Sequence, residues 1–168
     1  LVSQNKKRIF EKEKIEYTLR TINSLIKSAK DLKKKFKKIK VQFTIIDVNS
    51  SSSHINKILN KISEEGFNKK LITLENVDSE QDNMATTMAS INKSFYFSKN
   101  CNDLIYYVED DYIHRTDALA EMIFAYEKFS SILKNEIFLL STDYPYLYNN
   151  AKSSSILIGE NIHWRTVD

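Results

Sequence analysis

The sequence predicts an α/β domain, a three-layer αβα sandwich around a mainly parallel sheet. Three observations predict it. Short apolar runs alternate with longer amphipathic stretches at a near-regular pitch, the pattern of strand–helix–strand units with right-handed crossovers. The runs are apolar at consecutive positions, as strands buried on both faces require. Two of them stop on carboxylates, Asp47 and the triad Glu109-Asp110-Asp111, and ligands of open α/β sheets gather at strand carboxyl ends. Neither an internal repeat nor a domain boundary interrupts residues 1–168, a length that one core can serve.

Each element follows from local spacing. Ile15, Leu19, Ile22, Ile26 and Ala29 recur at steps of four and three, the inner stripe of a helix over about residues 8–37. Residues 41–46 read as a strand that closes on Asp47, and the serines Ser50 to Ser53 supply N-caps for the next helix. Ile55, Ile58, Leu59 and Ile62 form its stripe, and Gly66 stands where a left-handed C-terminal cap belongs. Leu71-Ile72-Thr73-Leu74 is a third strand candidate. Beyond the acidic loop 75–83, a helix carries Met84, Met88, Ile91 and Phe95, a stripe expected to face the core. Leu104-Ile105-Tyr106-Tyr107-Val108 reads as a buried strand running into the acidic triad. Thr116 caps a helix whose inner face shows Leu119, Met122, Ile123 and Tyr126, with Phe129 or Leu133 closing it. Residues 137–140 and 156–158 are the last strand candidates, followed by Gly159 and the polar close His163-Trp164-Arg165.

Composition sets outer limits on function. Gly 2 and Pro 1 lie far below the ordinary shares of about 7% and 5%, so no glycine-rich phosphate-cradling loop exists. Cys101 is the single cysteine; it excludes an internal disulfide, and a buried, inert thiol in a reducing cytoplasm is expected. No apolar run reaches the roughly 18 residues that cross a bilayer. The chain opens on Leu1, as a processed form or a fragment would, with Leu1 to Asn5 as the end of an opening strand.

Charge is distributed unevenly. Residues 1–40 hold 14 Lys/Arg against 4 Asp/Glu, and residues 41–168 hold 11 against 18. The basic half peaks at Lys33-Lys34-Lys35, Lys37-Lys38 and Lys40. One reading is a solvated helix end favoured by the helix dipole; the other is a patch that meets an anionic inner membrane surface. A nucleic-acid partner is not expected, because no aromatic stacking platforms are interleaved with these lysines.

The acidic triad carries the functional signal. Three adjacent carboxylates repel one another unless they meet solvent, a cation or hydrogen-bond donors. Hard divalent cations that hold phosphates use one or two carboxylates and leave the remaining positions to phosphate oxygens and water. The alternative is an acidic loop that is hydrated or caps the next helix.

Three landmarks in order resemble the nucleotide-binding half of GT-A-fold glycosyltransferases of the family 2 type, which have a Rossmann-like sheet. Thr44-Ile45-Ile46-Asp47-Val48-Asn49-Ser50 is similar to the strand that ends on a nucleobase-contacting Asp. Ile105-Tyr106-Tyr107-Val108-Glu109-Asp110-Asp111 resembles the strand that delivers the Asp-x-Asp motif, with Glu109 in place of the first Asp. Thr116-Asp117-Ala118-Leu119 looks like the start of the helix after that motif. Ser3-Gln4-Asn5 is similar to the turn after the first strand.

The resemblance implies a glycosyltransferase that moves a sugar from a nucleoside-diphosphate donor, with Mn2+ or Mg2+, to a glycan or lipid-linked acceptor. It implies donor contacts at Asn5, Asp47, Glu109 and Asp110, and metal contacts at Asp111 and Glu109. His163 is a candidate third ligand, or a surface His beside Trp164. Asp143, in the aromatic stretch Thr142-Asp143-Tyr144-Pro145-Tyr146-Leu147-Tyr148, is the visible candidate for the base; the other reading is a loop whose tyrosines pack at the core edge. The resemblance also implies an acceptor-side continuation beyond Asp168. Two rivals stand beside it: a nucleotidyltransferase, and a non-catalytic or degenerate domain that binds a nucleotide or a partner protein.

Overall fold

Four helices and two separate two-stranded sheets form among residues 10–74, 83–142, 144 and 154–167, the part of the chain that the computed structural model describes. The order is α1 (Lys14–Lys35), β1 (Gln42–Val48), α2 (Ser52–Glu64), β2 (Asn68–Leu74), α3 (Asn83–Ser98), α4 (Ala118–Leu133), β3 (Ile156–Ile158) and β4 (His163–Arg165). The chain divides into two compact units: Leu1–Lys27 with Ile39–His114, and Ser28–Lys38 with Arg115–Asp168. Helix α1 contributes its first part to one unit and its last part to the other.

The first unit is built on a β–α–β step. β1 and β2 pair in parallel from Gln42↔Asn68 to Val48↔Leu74, which requires a crossover, and α2 supplies it. Phe43, Ile45 and Asp47, at alternate positions of β1, are buried, as is Val48 on the other face of the strand, and α2 buries Ile55, Ile58 and Ile62. Phe43 meets Phe67 edge to face at 5.3 Å. Ser51 caps α2, its hydroxyl accepting from the His54 backbone N–H. Gly66 follows the helix at φ +75°, as the left-handed cap position demands. On α1, Ile15, Ile22, Ile26 and Ala29 are buried as their spacing predicts, but so are Thr18, Thr21 and Ser28.

The sheet is smaller than the sequence predicts. Residues 104–108 and 137–140 take no regular secondary structure, so no full Rossmann-like sheet forms among the described residues. Leu104, Ile105, Tyr106 and Tyr107 are exposed. The two tyrosines engage through their tips: the Tyr107 hydroxyl donates to Ser98 Oγ at 2.6 Å and its ring lies edge to face with Phe95, while Tyr106 reaches His114. Phe138 and Leu140 are also exposed, alternating with half-buried Ile137 and Leu139.

Helix α3 is turned opposite to expectation. Met84, Met88, Ile91 and Phe95 all face solvent, whereas Thr86 is buried and Ala89, Ser90, Lys93 and Ser94 are half-buried. The small polar side of the helix packs inward. Cys101, expected to be buried, is exposed.

In the second unit, α4 buries Ala120, Glu121, Ala125 and Phe129, not the stripe Leu119, Met122, Ile123 and Tyr126, which stays half-buried. Two alanines let the packed face approach closely. Thr116 is not the cap: Asp117 occupies that position without a side-chain cap bond, and Ser28 Oγ accepts from the Leu119 N–H at 2.9 Å instead. β3 and β4 form an antiparallel hairpin, Ile156↔Arg165 to Ile158↔His163. Among the described residues no helix is long and apolar enough to cross a membrane.

Candidate functional site

The predicted site residues fall into three groups. Asp47, Glu109, Asp110 and Asp111 belong to the first unit, and His163 to the second. Asn5 and Asp143 lie outside the described residues.

Asp47 is the sixth residue of β1, near its carboxyl end, and is 2% exposed. Its Oδ2 accepts from the Ser50 backbone N–H at 3.2 Å, three residues on, which closes a turn where the strand ends. Asn49 inside this turn takes φ 58°, a conformation that Asn tolerates better than most residues. The sequence places a carboxylate there because the strand pattern stops at it, and the turn then orders that carboxylate.

The acidic triad separates into one held side chain and two open ones. Asp110 Oδ2 pairs with Lys14 Nζ at 3.0 Å, and the two side chains are 13% and 9% exposed. The same oxygen accepts from the Thr18 hydroxyl at 3.1 Å, where the Lys14 carbonyl on the same helix competes at 3.3 Å. Glu109 and Asp111, on either side, are exposed. Asp110 and Asp111 form the turn itself.

His114 closes the turn from the far side. Ser24 donates its hydroxyl proton to the Thr21 carbonyl at 2.8 Å, so its oxygen is left to accept. It accepts from the His114 backbone N–H at 3.0 Å and lies 3.3 Å from His114 Nδ1. This network assigns the proton to Nδ1 and leaves Nε2 to accept from the Tyr106 hydroxyl at 3.0 Å. The two rings meet edge to face. Burial holds the imidazole below its ordinary pKa, which favours the same neutral ring.

His163 is exposed on β4. Its neighbour Trp164 donates from Nε1 to Glu121 Oε1 at 3.1 Å, and the backbone N–H groups of Glu160 and Asn161 donate to the same carboxylate at 3.0 and 2.7 Å. Glu121 is 2% exposed. The turn is closed by the Gly159 N–H donating to the Ile162 carbonyl at 2.9 Å.

Sequence reasoning missed Lys14, Thr18, Ser24 and Glu121. A signal for Thr18 and Ser24 exists: hydroxyls at 18, 21, 24 and 28 form a polar row beside the isoleucine stripe of α1. Glu121 has no such signal, because a lone Glu in an apolar helix face reads as solvated.

Among the described residues no group of three or more His, Cys, Asp or Glu side chains is arranged to hold a metal ion. A magnesium-type ion takes one or two carboxylates and fills its shell with phosphate oxygens and water. Comparison with protein-family models, curated proteins and solved structures yields no match to this chain.

Proposed function

We propose that the chain binds a nucleoside-diphosphate sugar with a divalent cation and serves glycosyl transfer to a glycan or lipid-linked acceptor. The observation that carries the reading is the acidic turn: Asp110 is neutralised by Lys14, while Glu109 and Asp111 stay open to solvent. Of three negative charges, two remain to meet a doubly charged ion. Glu109 and Asp111 are the residues that would hold Mn2+ or Mg2+, which when bound offsets charge on the departing diphosphate. Because Asp110 is engaged by α1, the ribose contact falls to Glu109. Asp47, ordered near the end of a parallel strand, accepts an N–H of the base. The lysine-rich end of α1 and the residues just after it, exposed at Lys33, Lys34, Lys37 and Lys38, suit an anionic membrane that carries a lipid-linked acceptor.

Calorimetric titration with UDP and GDP, with and without Mn2+, tests the reading. Metal-dependent binding of one nucleotide, lost in Asp111→Ala, is expected. Absence of binding by the wild-type chain under every condition would overturn it. Release of nucleoside diphosphate rather than pyrophosphate separates glycosyl from nucleotidyl transfer.

A further inference from the structure

Helix α3 turns its apolar residues away from the unit it belongs to. Met84, Met88, Ile91 and Phe95 recur at steps of four, three and four, which sets them within about 60° of one another around the helix. All of them are exposed, between 38% and 63%, while Thr86 on the opposite side is buried and Lys93 half-buried. The strip continues past the helix: the Phe95 ring meets Tyr107 edge to face at 5.3 Å, and Tyr107 is itself exposed. Five large side chains about half exposed, at roughly 150–250 Å² for a whole aromatic residue, leave on the order of 500 Å² of largely apolar surface open to water.

We infer that this face pairs with the same face of a second copy of the chain, α3 against α3 across a two-fold axis. Spacing, area and charge favour a second copy over other occupants. The 4-3-4 spacing is that of the seam along which two helices interlock their side chains, and an identical helix brings the matching spacing. One side of a standard interface covers about 800 Å², of which some 60%, or about 500 Å², is apolar, which is the area this strip offers. In a two-fold contact the same patch faces itself, so a patch with net charge repels its copy. Lys93 is the one charged residue of α3. It lies on the inward side with its Nζ 5.7 Å from the centroid of the Tyr96 ring, and puts no charge in the seam. Thr87 and Asn92, exposed on either flank of the strip, supply a polar rim. A charged partner finds no counter-charge on this face.

Sedimentation equilibrium of the full chain, from micromolar to millimolar concentration, is the test. The wild type is expected to fit a monomer–dimer equilibrium. Met88→Lys combined with Ile91→Lys sets like charges on both sides of the seam and should weaken association about 100-fold or more. Met88→Glu combined with Ile91→Glu should do the same. An equimolar mixture of these two double variants should regain association, which a surface merely made more soluble would not do. Asn60→Lys, at an exposed position of α2, is the control and should leave the dimer unchanged. Should a charged variant lose the helical circular-dichroism signal, Met88→Ser with Ile91→Ser removes apolar surface without adding charge and carries the comparison. A wild type that stays monomeric over the whole range overturns the pairing; if that monomer floats with neutral phosphatidylcholine vesicles, the face belongs to a lipid surface instead. A dimer whose dissociation constant is unchanged in the substituted chains overturns it as well.

Discussion

A buried carboxylate persists only where hydrogen bonds or a cation replace the water it gives up. Glu121 meets that condition through the hairpin turn, accepting from two consecutive backbone N–H groups and from the indole of Trp164. Gly159 is what lets the turn come so close. A Cβ there would run into Glu121 Oε1, and would lie 2.7 Å from the Ile162 carbonyl and 2.8 Å from Trp164 Nε1. The hairpin is thus fastened to α4 by polar contacts, with Lys128 adding a bond from Nζ to the Ile158 carbonyl at 2.7 Å. Glu121→Ala leaves these donors without their acceptor, and a loss of about 3 kcal/mol is expected in urea unfolding. Trp164 is the only tryptophan of the chain, so its emission should shift to the red as the hairpin detaches. An unfolding midpoint and emission spectrum equal to the wild type would show that the contact does not hold the hairpin.

Helix ends show how composition shapes an element. The chain has two glycines, and one of them, Gly66, ends α2 at positive φ. α4 ends in the same left-handed conformation with Lys134 at φ 52°, its N–H donating to the Ser130 carbonyl. A Cβ in this region costs about 1 kcal/mol relative to glycine. Lys134→Gly should therefore raise stability by roughly 0.5–1 kcal/mol, less whatever the added freedom of the unfolded chain removes. Thermal unfolding of the variant decides it, and a lower midpoint would mean that Lys134 makes contacts worth more than the strain. The same comparison separates what spacing encodes from what it omits. β1, α2 and β2 were legible because strand and helix periods differ and both end on turn residues. The apolar stripe of α3 was equally legible, but a stripe does not say what covers it, and here the opposite face packs. In α4 two alanines and a glutamate outcompete larger apolar residues for the interior, because close approach and a hydrogen-bonded turn favour them.

At the scale of the whole molecule, the largest gap between sequence and structure is the sheet. An apolar run of five residues signals a strand only if backbone partners are supplied by other segments, and that information is not local. Tyr106 and Tyr107 instead attach by their hydroxyls, and the turn they lead into is placed by α1, some 90 residues earlier in the chain. The carboxylates of the candidate site were legible for the opposite reason, since adjacent acids at the end of an apolar run are visible without any partner. Exposed apolar segments of this kind are association surfaces. Leu104 is 55% exposed and Phe138 104%, so a charged side chain at either position meets water rather than a core. Leu104→Lys and Phe138→Lys are each expected to leave unfolding free energy within about 0.5 kcal/mol of wild type. Static light scattering at high protein concentration should fall in both, because a lysine on an open apolar edge opposes pairing with another chain. Were these residues the interior of a sheet, a buried unpaired ammonium would unfold the chain at room temperature. Loss of the folded circular-dichroism spectrum in either variant would therefore restore the buried strand that the sequence alone suggests.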